Sequence, residues 1–297
     1  MPPIDDYISA PPQARIAVQL EPVFNAIHSL VMLTRADTLS GLGDWVYDTV
    51  AKMTPKEREQ NMLVLWGLHY AVAPQQSWPN FPAYIKHLDE MDPVELRDKL
   101  MYAYAAIPAR SAEIDEEERW NLSVDPTAVD IEAALVSVDA YLDFLRARFD
   151  EENVFEDIES MAYSYAANPP AMQELIVNHL QAMWDKYLEA EWERVLPMLE
   201  DSARAFQQID FSGMRDMEVA RFVTGQELED HWAQSFARSE RIIFTPCAHV
   251  GPYLGKFHMG ETYGLIFGAR LPEGTEVDAP DLSRAEIAVR LNALADD

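Results

Sequence analysis

Of 297 residues only one is cysteine, Cys247. An intramolecular disulfide is therefore excluded, as is every metal site built from several cysteines. Lysine and arginine together number 23 against 51 aspartates and glutamates, a formal net charge of -28. So few cations leave little to neutralise phosphates, and the negative field repels duplex DNA and anionic lipid. Glycine is scarce, at 11 residues, and there is no low-complexity tract. No apolar run is long enough to span a bilayer: the stretch Ala26–Leu33 is broken by His28 and Ser29. The first residues, MPPIDDYISAPPQAR, carry neither a basic segment nor an apolar one, so they do not read as a secretory signal. A lone thiol and no signal fit a cytoplasmic protein.

Standard catalytic signatures are also missing. There is no HExxH, GxSxG or P-loop, and no GxGxxG after a strand. The reading therefore assigns no catalytic residue, no metal and no cofactor.

Hydrophobic residues make up 48% of the chain, enough to build a substantial core. Ile16, Val18 and Leu20 alternate as in a strand. Pro22 then suits the first turn of a helix carrying Val23, Ile27 and Leu30. Thr54-Pro55-Lys56-Glu57 is a capping box, opening a helix through Met62, Leu65, Trp66 and His69 that should stop before Pro74. Asp92-Pro93-Val94-Glu95 is a second start. Asp125-Pro126 opens a helix with a buried stripe, Ile131, Leu135, Val138, Leu142, Leu145 and Phe149, while Glu113–Glu118 before it reads as an exposed loop. A long helix follows Asn168-Pro169-Pro170, and Pro197 should kink or end it. Thr224-Gly225-Gln226-Glu227 reads as another capping box, ahead of Leu228, Trp232 and Phe236. Glu189, Glu191 and Glu193 read as a solvated face, and His28, His69, His179 and His231 as satisfied histidines of apolar helices.

After Arg238 the texture changes. Arg241–Pro246, Tyr253–Phe257 and Tyr263–Ala269 are β-rich runs punctuated by Gly251, Gly255, Gly260 and Gly264. The expected fold is thus mainly α, a multi-helix domain with a small antiparallel β element near residues 241–269. The same segment gathers Cys247, His249, Tyr253, Lys256, His258 and Tyr263. Cys247, His249 and His258 could hold zinc with a fourth ligand. An organic or anionic ligand could bind near Lys256 and the tyrosines. Alternation along a strand could equally scatter these side chains as ordinary structure. The candidate ligand-binding residues are His249, Tyr253, Lys256, His258 and Tyr263.

At the end of the chain Asp281 or Ser283 caps a helix bearing Ile287, Leu291 and Leu294. It stops at Asp296-Asp297 without a glycine, a basic last turn or a proline, so a continuation beyond residue 297 is expected. Leu291-Asn292-Ala293-Leu294-Ala295-Asp296 resembles the first-helix signature of ArsR-type winged-helix transcription regulators. Asn25, Ser29-Leu30 and Gly41-Leu42-Gly43-Asp44-Trp45-Val46 resemble the long N-terminal extension of some bacterial members of that family. The resemblance implies that residues 1–280 form a regulatory or sensor portion, with residues 281–297 leading into a winged helix. It implies dimers as well, with DNA contacted only through the winged helix. The competing expectation is a stand-alone enzyme or small-molecule-binding protein with its site around residues 247–263.

Overall fold

The computed structural model describes residues 15–110, 119, 124–150 and 153–272. The terminal helix expected from residue 283 and the loop at 113–118 lie outside them. The fold is mainly helical with one small four-stranded sheet.

Strand β1 (Ile16–Val18) leads into α1 (Pro22–Arg35), whose first turn holds the expected proline. Helix α2 (Asp44–Lys52) is followed by α3 (Pro55–Met62). The box at its start is complete: Thr54 accepts from the Glu57 amide, and Glu57 accepts from the Thr54 amide. Helix α3 widens into a π turn (Leu63–Gly67) before α4 (His69–Val72). There the Leu68 amide reaches back five residues to the Leu63 carbonyl, at 3.0 Å. Helices α5 (Phe81–Glu90) and α6 (Pro93–Ala105) begin at Asn80 and Asp92, whose side chains cap them.

The stripe from Ile131 to Phe149 is not one helix. A short 3-10 turn (Pro126–Ala128) precedes α7 (Ile131–Ala134), and Ser137 caps a new helix, α8 (Val138–Arg146). The Ser137 hydroxyl takes the Ala140 amide, which offers the backbone a fresh start in mid-stripe. Helix α9 (Glu156–Ala166) follows, then α10 (Pro169–Met183), a second π turn (Trp184–Leu188) and α11 (Glu189–Gln207). Pro197 does not end α11. It lies on the exposed side with Glu193, so the carbonyl deprived of its donor faces water.

Helix α12 (Asp216–Thr224) corrects another expectation. Thr224-Gly225 closes this helix rather than opening the next: Gly225 adopts φ +72°, and the Thr224 hydroxyl donates to the Ala220 carbonyl. Helix α13 (Asp230–Ala237) starts three residues beyond Glu227.

Strands β2 (Arg241–Cys247), β3 (Gly255–Met259) and β4 (Thr262–Gly268) complete the sheet in the order β1-β2-β4-β3. The β3–β4 hairpin is antiparallel, as expected, but β2 runs parallel to both β1 and β4, so the sheet is mixed. Both faces are covered. Ile242, Phe244, Leu265 and Phe267 pack with Phe206, Val219 and Phe236, whereas Ile243, Cys247 and Ile266 pack with Phe24 of α1 and with Phe257. A strand buried on both faces reads as an unbroken apolar run, which is what Ile242, Ile243 and Phe244 form. Helix α1 therefore has the sheet on one side and the helical bundle, with its own large core, on the other. Among the described residues no helix is long and apolar enough to cross a membrane.

Candidate functional site

The five candidates from the sequence do not converge. His249 is buried against α1 and α11. Tyr253 turns its hydroxyl to Ser40, accepting from that residue's amide (3.3 Å) and donating to its carbonyl (3.0 Å). His258 meets the buried Tyr263 ring edge-on, with centroids 4.8 Å apart. Lys256 and His258 fall on the exposed side of β3, and Gly255 and Phe257 on the buried side. The zinc reading fails on the same alternation: among the described residues no three histidines, cysteines or acids are placed to hold a metal ion. Cys247 is a buried core residue, and burial pushes its thiol pKa up.

Two constellations emerge that the sequence did not group. The first is a buried hydrogen-bond chain. The Ser29 hydroxyl lies 2.7 Å from Nδ1 of His249 and 2.8 Å from the Asn25 carbonyl. Nε2 of His249 lies 2.8 Å from Oε1 of Glu191. Burial opposes ionisation of Glu191. Hydrogen bonds from His249 and Arg194, together with their charges, outweigh it and hold the carboxyl at about 2. With Glu191 ionised, Nε2 carries a proton and donates to it, while the one Ser29 hydroxyl proton serves either the Asn25 carbonyl or Nδ1. Trp45 covers the imidazole at 4.3 Å, and the Asn25 side-chain amide donates to the Pro246 carbonyl at 2.5 Å.

A serine, a histidine and a glutamate in line suggest nucleophilic catalysis. Burial argues otherwise. Ser29 is 1% exposed, His249 3% and Glu191 6%, which leaves a substrate no way to the hydroxyl. The chain clamps α1, α11 and the β2–β3 loop together. Glu191 thus leaves the solvated face assigned to it, because the second π turn and α11 carry it inward while Glu189 and Glu193 stay exposed. Ser29 and Trp45 meet His249 of this loop, and Asn25 meets Pro246 near the end of β2.

The second constellation is a cavity of about 460 Å³ where the bundle meets the sheet. Helix α1 supplies His28 and Val31; the first π turn and α4 supply Leu65, Trp66, His69 and Tyr70. Tyr104 of α6, Leu145 of α8, Phe149, Asn153, Val154 and Glu159 of α9 continue the wall, and Leu254, Gly255 and Lys256 complete it. The π turn is what aims this wall: its looser winding frees the Gly67 carbonyl, which accepts from the Tyr104 hydroxyl at 3.0 Å. Gly255 is required too, because a Cβ there would collide with the His28 ring.

The polar groups of the cavity are poorly satisfied. Nδ1 of His28 and Nδ1 of His69 are buried without a hydrogen-bond partner. Burial, reinforced by repulsion from His69, lowers the His28 pKa to about 4, and burial, reinforced by the charge of Lys99, lowers that of His69 as well. Both imidazoles are therefore neutral near pH 7, contrary to the expectation of ordinary satisfied histidines only in their missing partners. His179, by contrast, is satisfied by Asn61 at 3.0 Å. Glu159 is 8% exposed and has one long hydrogen bond, from the Tyr141 hydroxyl at 3.4 Å; burial pushes its pKa up to about 7. Of the five sequence candidates only Lys256 lines this cavity. No single segment could have revealed it, since its walls come from six helices and a strand.

No protein-family model matches this chain, no curated protein matches it, and no solved structure matches it.

Proposed function

We propose that this chain is a small-molecule-binding sensor domain, with the cavity between α1, α4, α6, α9 and β3 as its site. The observation that carries the reading is an aromatic-walled cavity lined by His28 and His69, whose buried Nδ1 atoms have no hydrogen-bond partner. Buried polar groups without partners are costly, and a ligand that satisfies them recovers that cost. The volume suits a small organic molecule, and apolar walls with a few polar groups are the usual character of such sites. The resemblance to the N-terminal extension of ArsR-type regulators supports a regulatory role, in which occupancy biases a winged helix beyond residue 297 and the assembly is a dimer. On that reading the 297-residue chain leaves duplex DNA unshifted at physiological salt, as its net charge of -28 also requires.

The test is a thermal-shift screen of small organic compounds on the parent and on Leu65→Trp, which fills the cavity from the π turn. Occupancy at about 100 times Kd stabilises a protein by about 2.7 kcal/mol. Hits should shift the parent and leave the filled variant unmoved. Equal shifts in both, or no hits at all, would sink the reading.

A further inference from the structure

We infer that the cavity takes an uncharged, largely aromatic molecule and excludes ions of either sign. This rests on the cavity being a ligand site, and it names the class of ligand.

The walls give the first reason. Rings follow one another edge to face: His69 meets Tyr70 at 5.4 Å between centroids, Tyr70 meets Tyr104 at 5.2 Å, and Tyr104 meets Phe149 at 5.7 Å. A ring's edge is slightly positive and its face slightly negative, so such a row extends favourably to one more ring. The polar ends of this wall are largely spent. The Tyr104 hydroxyl donates to the Gly67 carbonyl at 3.0 Å, and the Trp66 indole N–H donates to the Thr34 hydroxyl at 3.0 Å. Val31, Leu65 and Leu145 add aliphatic surface. A ligand therefore meets mainly carbon.

Charge gives the second. An ion taken out of water needs a fixed countercharge close by, or its burial is costly. Of the ionisable side chains that line the cavity among the described residues, all but Lys256 are driven by burial toward the uncharged form: His28, His69, Tyr70, Tyr104 and Glu159. Lys256 lies on the exposed side of β3, where water screens it. Lys99 of α6 acts from behind the wall. Its charge disfavours a proton on His69, so it opposes a ligand cation there too. It does not line the cavity, and its ammonium donates to the Ala71 carbonyl at 2.8 Å, so it gives a ligand anion no direct partner. Glu159 repels an anion when ionised, and when neutral it has no charge to offer a cation. An uncharged molecule meets none of these costs.

The first experiment uses 4-nitrophenol, whose neutral and ionised forms absorb at different wavelengths and are both present at pH 7. The 297-residue chain is titrated into it in about 0.3 M salt, which suppresses long-range effects of the acidic surface. The phenolate band should fall and the phenol band rise as the neutral form is taken up. Leu65→Trp should abolish the change, which places the probe in the cavity. The second experiment is calorimetry on the parent with 4-phenylbutanol, 4-phenylbutylamine and 4-phenylbutyrate, three probes with one skeleton. The alcohol should bind at least about tenfold more tightly than either ion, since the site holds no fixed countercharge. If the bound nitrophenol keeps its phenolate band, or if the amine or the acid matches the alcohol, the assignment falls and the cavity stands as a site for an ion. If no probe binds, or if Leu65→Trp takes up nitrophenol as the parent does, the assignment falls together with the sensor reading.

Discussion

At the residue scale, position in the wall of the cavity or in the clamp decides what a side chain does, and sequence neighbourhood does not. His249 and Lys256 lie seven residues apart in one segment, yet one closes a buried clamp and the other edges a cavity. The glutamate of the clamp lends itself to a direct test. Its carboxyl is held at about 2 against an ordinary 4.5, so it favours the folded state above pH 4.5. That contribution fades as the pH falls from 4.5 toward 2. Arg194 adds little, because it is 67% exposed and screened, so the His249 hydrogen bond carries most of the effect. Glu191→Gln should therefore cost about 1–3 kcal/mol at pH 7, the usual penalty for an ill-matched buried donor. Its acid-induced loss of stability between pH 4.5 and 2 should be shallower than the parent's. Denaturant melts at pH 7 and pH 3 measure both, and an unchanged difference between the two proteins would show that the clamp carries no charge.

At the element scale, helix starts were legible where a cap is local and illegible where the surroundings choose between two readings. Thr54-Pro55-Lys56-Glu57 and Thr224-Gly225-Gln226-Glu227 share a residue pattern, but only the first is a box. What separates them is the apolar run each adjoins. Val219, Ala220 and Val223 bury α12 against the sheet and draw Thr224 into its last turn. Gly225 then supplies the left-handed residue that ends it. The two segments should respond differently to truncation. Thr54→Ala removes a real cap and should cost about 1 kcal/mol. Glu227→Ala removes only an exposed pair with Arg221, 2.9 Å apart, and should stay within about 0.5 kcal/mol. Urea melts of both variants decide it, and equal losses would mean that Glu227 does cap α13. The break in the stripe at Ser137 was hidden for a related reason: hydrophobic spacing continues across it, while the hydroxyl quietly restarts the backbone. The π turn left no mark in the composition, so the wall it builds could not be read before the fold was known.

At the scale of the whole molecule, the mainly helical architecture and the late β element followed from periodicity and glycine punctuation. The parallel pairing of β2 did not, because β1 lies more than two hundred residues away in sequence and only the doubly apolar run of β2 hinted at cover on both faces. The charge balance has its own consequence. With a net charge of -28, like charges repel across the folded surface. Several arginines and lysines are already engaged locally, as Lys186 is with Glu57 and Arg97 is with Glu132 and Asp98. Salt acts on both effects. Raising it from about 0.01 M to about 1 M shortens the screening length from about 30 Å to about 3 Å, which removes long-range repulsion almost completely. The same change weakens the exposed ion pairs, but each of these contributes only about 0–1 kcal/mol, and neighbouring charges in contact are screened least. Repulsion summed over the whole surface should therefore be the larger loss, and the thermal midpoint should rise with sodium chloride over that range. The midpoint measured by circular dichroism at several salt concentrations is the check, and a steady fall would mean that the local pairs, and not the net charge, dominate the electrostatics of this fold.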